Sequence, residues 1–543
     1  MLTTGPDEPR PDEPGPRPGR RPRRPRRAGP GEGAPGALSA LGPALSLTLA
    51  WAALAAVAWL ALAAATRPST PTTWTTTTLA AVAIAAAWLV GIRAAVVLVA
   101  GTRRAHPSVG TRARAPRPEL DGLVVALLCT TADDFRADVV ERSMRQTHPR
   151  TRTVVLDDSR SAEGRAAVDA FAATATATVA GGGPGLVEVV RRADRSGFKA
   201  GNLNNYLRHH AAGVDAVVVI DADQEIGPDF VRTALRHLHA YPRVAVVQGA
   251  IRSRRGDTRF VRDFRGMFDA HLRATSAGRA RFGTATFAGR GALLDVSALR
   301  DAGGFPEVVA EDAALTLELA RRGRTVRYVP ELVSVEDAPT DYTAFTTQLG
   351  KFTEGAMQLL GRNRGLLFDT RLRPARRLDV FLDLASPLVG AAMTVALFGF
   401  TLAAATERMP GIPVPLGASL GVLGAVPLLP EAIRRTRRRG PVTASLFLLR
   451  GAMLYASVAI VALRAVLRVG LGLRARFVVT PKANDRAGLR TTASRRRPEL
   501  AAAAAAILVA VLVSGTVAPA GVFCVVAATA VGYSLLGGRP ARP

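Results

Sequence analysis

Two long apolar runs open the patterned part of the chain: residues 41 to 65, LGPALSLTLAWAALAAVAWLALAAA, and 78 to 100, TLAAVAIAAAWLVGIRAAVVLVA. At about 1.5 Å of rise per residue, each can cross roughly 30 Å of hydrocarbon as a helix. The connection RPSTPTTWTT holds one arginine, whereas arginines at 20 to 27 and 103 to 114 flank the outer ends. Positive flanks stay on the cytoplasmic side, so the pair reads as a hairpin with the following domain in the cytosol. From about 120 to 340 the pattern changes to short β-rich runs, GLVVALLC, RTVVLDD, VDAVVVIDAD and RVAVVQGA, alternating with helical stretches. That alternation predicts an α/β domain with a mainly parallel sheet and flanking helices, inserted between membrane helices.

Apolar runs return at 380 to 404 and 412 to 430, followed by the arginine run RRTRRRG at 434 to 440, and again at 500 to 515 and 519 to 537. The stretch 443 to 470 is apolar but interrupted by Arg450, Arg464 and Arg468. An arginine-rich cytosolic segment at 472 to 498 follows it, so parity favours an interfacial or re-entrant helix and six crossings; a true crossing gives seven. The expected organisation is a disordered tail at 1–37, two spanning helices at 38–101, the catalytic domain with an interface helix at 102–375, two spanning helices at 376–432, an interfacial segment at 433–498 and a final pair at 499–543.

Composition changes this picture little. The formal charge is +28, but the arginines lie beside the apolar blocks, where positive charge sets topology, so the reading is membrane rather than nucleic acid. The tail is rich in Pro, Arg and Gly and cannot bury enough apolar surface to order itself. Its run RPRRPRR at 21 to 27 precedes an apolar block too long for a secretory leader, which favours an uncleaved anchor. Two cysteines, Cys129 and Cys524, exclude a disulfide framework and a cysteine metal site. His209, His210, His237 and His239 lack metal spacing and read as solvated helix residues.

Two of the β-rich runs end in carboxylates, Asp157-Asp158 and Asp221-Ala222-Asp223. Ligands of parallel sheets bind beyond the carboxyl ends of the strands. Residues two apart in a strand point the same way, so Asp221 and Asp223 can face one cavity and hold a hard cation beside a diphosphate.

The order of the remaining motifs is more specific: LDDSR, FKAGNLNNYL at 198 to 207, DADQ, FAGRGALLDVSAL at 287 to 299, GGFPEVVAEDAALTLELARRG, and QLGKF at 348 to 352. This set resembles glycosyltransferase family 2, and KAGNLN is similar to its cellulose-synthase-like branch. The resemblance implies a GT-A-like domain and an inverting transfer from a nucleoside-diphosphate sugar, UDP-linked by preference, to a carbohydrate or lipid-linked acceptor, with Mg2+ or Mn2+. It implies donor contacts from Thr130, Asp157 or Asp158, Lys199 and Asp221, metal binding by Asp223, and Asp312 as catalytic base. Glu311 is expected only to favour the helix N-terminus.

Where the family has Gln-x-x-Arg-Trp, this chain has Gln348, Lys351 and Phe352 for the acceptor and diphosphate; lysine loses the bidentate fork and phenylalanine the indole donor. Arg290 stands where relatives carry a small polar residue. The segment RFVVTPKAN at 476 to 484 resembles the gating loop of cellulose synthases, implying that Phe477, Thr480 and Lys482 close over the nucleotide. The gate-like segment favours processive polymer extension; a single transfer to a lipid or other membrane acceptor and a catalytically inactive membrane scaffold stay open as alternatives.

Overall fold

A computed structural model describes residues 37–102, 117–179, 187–256, 258–473 and 493–536; the tail at 1–36 and Phe477, Thr480 and Lys482 lie outside the described residues. The first apolar runs form α1 (Ala37–Thr66) and α2 (Pro71–Thr102), a hairpin closed by the stacked rings of Trp59 and Trp74, 5.6 Å apart.

The middle of the chain supplies β1 (Val125–Thr131), α3 (Ala137–Met144), β2 (Thr151–Asp157), α4 (Ala162–Val179), β3 (Val187–Val190), α5 (Phe198–His209), β4 (Ala216–Asp221) and β5 (Glu225–Ile226). It continues through α6 (Phe230–Ala240), β6 (Val244–Ser253), α7 (Arg259–Arg281), β7 (Ala292–Asp295), α8 (Val296–Asp301), α9 (Glu311–Arg321), β8 (Thr325–Glu336) and α10 (Tyr342–Arg362). The strands make one sheet in the order β3-β2-β1-β4-β7-β6-β8-β5, with β7 and β5 antiparallel to their neighbours. The four predicted strands are β1, β2, β4 and β6, and the fold is the expected α/β one, a mainly parallel sheet with flanking helices.

Both faces of the sheet are covered. Ala126, Leu128, Val217 and Val219 pack on Leu203 and Tyr206 of α5 and Leu315 of α9. Their neighbours Val125, Leu127, Cys129, Val218 and Ile220 pack on Val231, Ala234 and Leu235 of α6. Two-sided burial is why these strands read as unbroken apolar runs rather than alternating ones. One expectation fails here: His237 is not solvated but 1% exposed, and its Nδ1 accepts from Arg327 Nε at 3.2 Å. Burial and the adjacent guanidinium push its pKa down to about 4, so it is a neutral core histidine.

The C-terminal helices are α11 (Pro374–Thr406), α12 (Val414–Ala425), α13 (Leu429–Arg439), α14 (Pro441–Ser457), α15 (Ala459–Gly470), α16 (Arg497–Ser514) and α17 (Gly521–Leu536). The arginine run after residue 433 is helical to Arg439, and the buried Glu431 accepts from Arg434 and Arg435 one turn on. Among the described residues, seven helical stretches are long and apolar enough to cross a membrane, Pro441–Gly470 included. That last stretch is broken at Val458, between α14 and α15.

Candidate active site

Three parallel strands end together. In the register of β1 with its neighbours, Thr130 lies beside Asp221 and Thr131 beside Asp157. The carboxylates named from sequence therefore reach the same edge of the sheet, above a cleft of about 1080 Å3. Thr130 Oγ1 donates to Asp221 Oδ1 at 3.2 Å, and Thr130 sits inside the strand rather than after it. Asp157 and Asp158 diverge. Asp157 is buried, held by Arg191 Nε at 2.7 Å and by the Ser159 amide, and stands off the cleft wall. Asp158 lines the cleft and is forked by Arg192 at 3.0 and 2.7 Å.

The FKAGNLN motif divides its work between cleft and frame. Lys199, in the first turn of α5, donates to Asp221 and to the Gly289 carbonyl at 3.1 Å. Burial alone lowers its pKa, but the carboxylates of Asp221 and Glu311 outweigh it and hold the ammonium above its ordinary range. Asn204 points the other way, exchanging bonds with the Phe305 amide at 2.7 Å and carbonyl at 2.8 Å, which fixes the loop that leads to α9. Asn202 lines the cleft, and its Oδ1 is a buried acceptor with no partner.

Gly289 and Gly291 both have positive φ, 78° and 61°, so the FAGRG turn can bring its backbone to the end of β4. Between them Arg290 does not enter open space: Nη2 meets Glu336 Oε1 at 2.6 Å and Nε stands 3.6 Å from Asp221. Thus Asp221 is approached by two cations, and Asp223, 7% exposed, remains at the cleft wall beside it.

Glu311 and Asp312 open α9 and both face this cleft. Burial and the neighbouring Asp312 charge push the Glu311 carboxyl up to about 7. Burial likewise raises Asp312, against the Ala313 amide at 2.7 Å and the charges of Arg290, Lys199 and Lys351. Glu311 stands in the first turn of α9, where it was expected, and also lines the cleft. A recessed carboxylate with a raised pKa is a better proton acceptor than a solvated one.

Gln348, Lys351 and Phe352 line the same cleft from α10, with Lys351 Nζ 5.6 Å from the centre of the Phe352 ring. Burial lowers the Lys351 pKa, although the Glu311 charge opposes it. Sequence reasoning missed the floor. Asp383, Ser386 and Pro387 of α11 belong to the same cleft, and acidic residues in an otherwise apolar helix were the available signal. Also unforeseen was the basic rim, where Arg254 and Arg136 share Asp337 at 2.8 and 2.9 Å.

Among the described residues no cluster of three or more His, Cys, Asp and Glu side chains is arranged to hold a metal. Asp221 and Asp223 offer only hard oxygens. That donor set fits a divalent ion that uses one or two carboxylates and completes its shell with substrate phosphate and water.

Residues 216–470 match the family model described as glycosyl transferase family group 2. Glucomannan 4-beta-mannosyltransferase 7 of Arabidopsis thaliana is 28% identical over 178 residues, 32% of this chain and 32% of the relative. Glucomannan 4-beta-mannosyltransferase 2 of the same plant is 29% identical over 175 residues, 31% of this chain and 32% of the relative. The matched region spans about a third of the length of these curated relatives. Among solved structures, the mannosyltransferase PcManGT from Pyrobaculum calidifontis, in complex with GDP-Man and Mn2+, aligns with TM-score 0.47 and 22% identity, covering 70% of this chain and 99% of that one. The part of the chain that carries Asp221, Asp312 and Gln348 is thus similar to glycosyl transferase family group 2, and about a third of the chain is similar to plant glucomannan mannosyltransferases.

Proposed function

We propose that the protein is a membrane-embedded inverting glycosyltransferase that moves a sugar from a nucleoside diphosphate to a carbohydrate acceptor, with the catalytic domain on the cytosolic side of the cell membrane. The observation that carries this reading is the convergence of Lys199, Asp221, Asp223 and Asp312 with Gln348, Lys351 and Phe352 on one cleft floored by a membrane-length helix. Asp312 accepts the proton of the acceptor hydroxyl as its oxygen bonds to the anomeric carbon, and the bond from that carbon to the diphosphate breaks. Lys199 and Lys351 meet the departing diphosphate. Asp223, with Asp221, would hold Mg2+ or Mn2+, whose charge offsets that developing on the leaving group. Asp158 and Thr130 frame the nucleoside side. Asp157 positions this edge through Arg191 rather than touching donor.

UDP is the donor nucleotide that the motif resemblance favours, and GDP is its competitor because the curated relatives are named for mannosyl transfer. Purified protein in detergent is to be incubated with UDP-glucose, UDP-N-acetylglucosamine, UDP-galactose and GDP-mannose, each with Mg2+ or Mn2+. Release of nucleoside diphosphate and extension of an oligosaccharide are expected with one of them. Absence of turnover across the panel, by protein that is folded, leaves the inactive-scaffold reading. Product length separates processive extension from a single transfer.

A further inference from the structure

The floor of the cleft is built by α11, and its chemistry differs from that of the other walls. Asp383, Ser386 and Pro387 are spaced i, i+3 and i+4, so they share the helix face that lines the cleft. Pro387 has no amide hydrogen and cannot bond the carbonyl of Asp383 four residues back. Ser386 Oγ donates to that carbonyl instead, at 2.8 Å. The helix therefore keeps its backbone satisfied at the point where it meets the cavity.

Asp383 is one corner of a four-membered charge network. Arg93 of α2 meets Asp379 at 2.7 Å and Asp383 at 3.0 Å, and Arg279 of α7 meets the same two carboxylates at 3.1 and 2.9 Å. The set is formally neutral, which is how charge is tolerated beside hydrocarbon. Its members differ in exposure. Asp379 and both arginines are 9 to 17% exposed, whereas the Asp383 side chain is 43% exposed and lines the cleft. Asp379 alone suffices to bridge the two helices. Asp383 is held in a fixed orientation with its carboxylate accessible.

The same cleft presents Phe352 of α10, 47% exposed. A flat apolar ring and an oriented carboxylate in one cleft suit a sugar ring, which stacks by its C–H face and donates from its hydroxyls. The geometry points to Asp383 as a hydroxyl-binding residue of the acceptor subsite. This rests on the transferase reading above and adds a residue to its acceptor side.

The test is kinetic and direct. In full-length protein, the acceptor KM for cello- and manno-oligosaccharides, the donor KM and acceptor-independent donor hydrolysis are measured, and oligosaccharide binding without donor is followed by calorimetry. Asp383→Asn is expected to raise the acceptor KM or Kd about tenfold, the scale of one charge-assisted hydrogen bond, with donor KM and hydrolysis within about twofold. Asp379→Asn is expected to lower the unfolding temperature and leave the acceptor KM unchanged. An acceptor KM unchanged in Asp383→Asn, or an equal rise in both KM values, overturns the inference. Should Asp383→Asn not fold, Asp383→Glu decides: it moves the carboxylate by one methylene, and an unaltered oligosaccharide Kd is likewise fatal. Oligosaccharide binding that depends on Asp383 in a protein without turnover sinks the transferase reading alone.

Discussion

Lys199 donates to Asp221 across the floor of the donor side, and the same ammonium reaches the Gly289 carbonyl at 3.1 Å. The pair joins the first turn of α5 to the end of β4, so the motif FKAGNLN and the motif DADQ meet in one contact. Under the proposed function a bound diphosphate would compete for this ammonium and release Asp221 toward ribose or metal.

Lys199→Met is therefore expected to weaken nucleoside-diphosphate binding about tenfold to a hundredfold, the range for losing a hydrogen bond to a charged group. The variant's affinity should also depend less on salt, because one charge contact is gone. Calorimetric titration at two ionic strengths checks both, and affinity within twofold of wild type removes Lys199 from the donor site.

Asp312→Asn and Asp223→Ala separate two roles within the same cleft. The first removes a base that touches only acceptor, so transfer is expected to fall by at least about 10²-fold while donor affinity stays near wild type. The second removes a hard-cation ligand, so the metal concentration needed for half-maximal donor binding is expected to rise. Transfer by Asp312→Asn at wild-type rate, or an unshifted metal titration in Asp223→Ala, contradicts the respective assignment.

The adjacent carboxyls of Glu311 and Asp312 make activity and stability pH-dependent together. Glu311 is raised to about 7 in the fold, from an ordinary carboxyl value. A carboxyl with a raised folded pKa contributes stability in full at low pH, and that stability is lost as pH climbs through about 7. Glu311→Gln should flatten the unfolding midpoint between about pH 5 and 7. Glu311 is still protonated where Asp312 ionises, because it is the Asp312 charge that raises Glu311, so the acid limb of the transfer profile is expected to stay in place. An unfolding midpoint whose pH dependence is the same in Glu311→Gln as in the wild type contradicts the raised carboxyl.

How much of this was legible in the sequence follows from the range of each interaction. The apolar runs and the four strands β1, β2, β4 and β6 are local patterns, and the motif order marks Lys199, Asp221 and Asp312. Asp157 and Asp158 look alike in sequence, and only the arginines of the segment after β3 distinguish the buried one from the one on the cleft. His237 read as solvated because its burial depends on Arg327, 90 residues away. The floor at Asp383 was hidden for the same reason, since its partners Arg93 and Arg279 come from two distant helices.

Arg290 and Glu336 form a fork that is 17% and 9% exposed. Opposite charge holds the guanidinium well above its ordinary pKa despite burial. Removing one partner strands the other, at a cost of about 3 kcal/mol. Glu336→Gln should lower the thermal midpoint and free Arg290 to lean on Asp221, 3.6 Å away, which weakens donor binding as a secondary effect. A paired Arg290→Met, Glu336→Gln change should recover most of the lost stability, and failure to recover it shows that the fork is not what Glu336 stabilises.

The last prediction concerns the path of Pro441–Gly470, which is long and apolar enough to cross a membrane. Contacts at both of its ends argue against a crossing. Before it, Arg435 of α13 lies over the Phe447 ring at 4.1 Å and beside Gly266 of α7. Near its end, Arg468 meets Glu354 at 3.7 Å on α10, the helix that carries Gln348 and Lys351. Both ends thus rest on helices that serve the catalytic cleft. The intervening residues 471 to 496 hold Arg474, Arg476, Lys482, Asp485, Arg486 and Arg490, too much charge for a compensating crossing. The stretch is therefore expected to leave and return on the same side, bent at Val458, giving six crossings. In a background with Cys129 and Cys524 replaced, single cysteines at Arg439 and Leu471 should both react with an impermeant thiol reagent only after cells are opened, while one at Thr72, in the first hairpin, labels from outside. Labelling of the Leu471 cysteine alone in intact cells makes Pro441–Gly470 a seventh span and moves the segment containing Thr480 and Lys482 away from the cytosolic cleft.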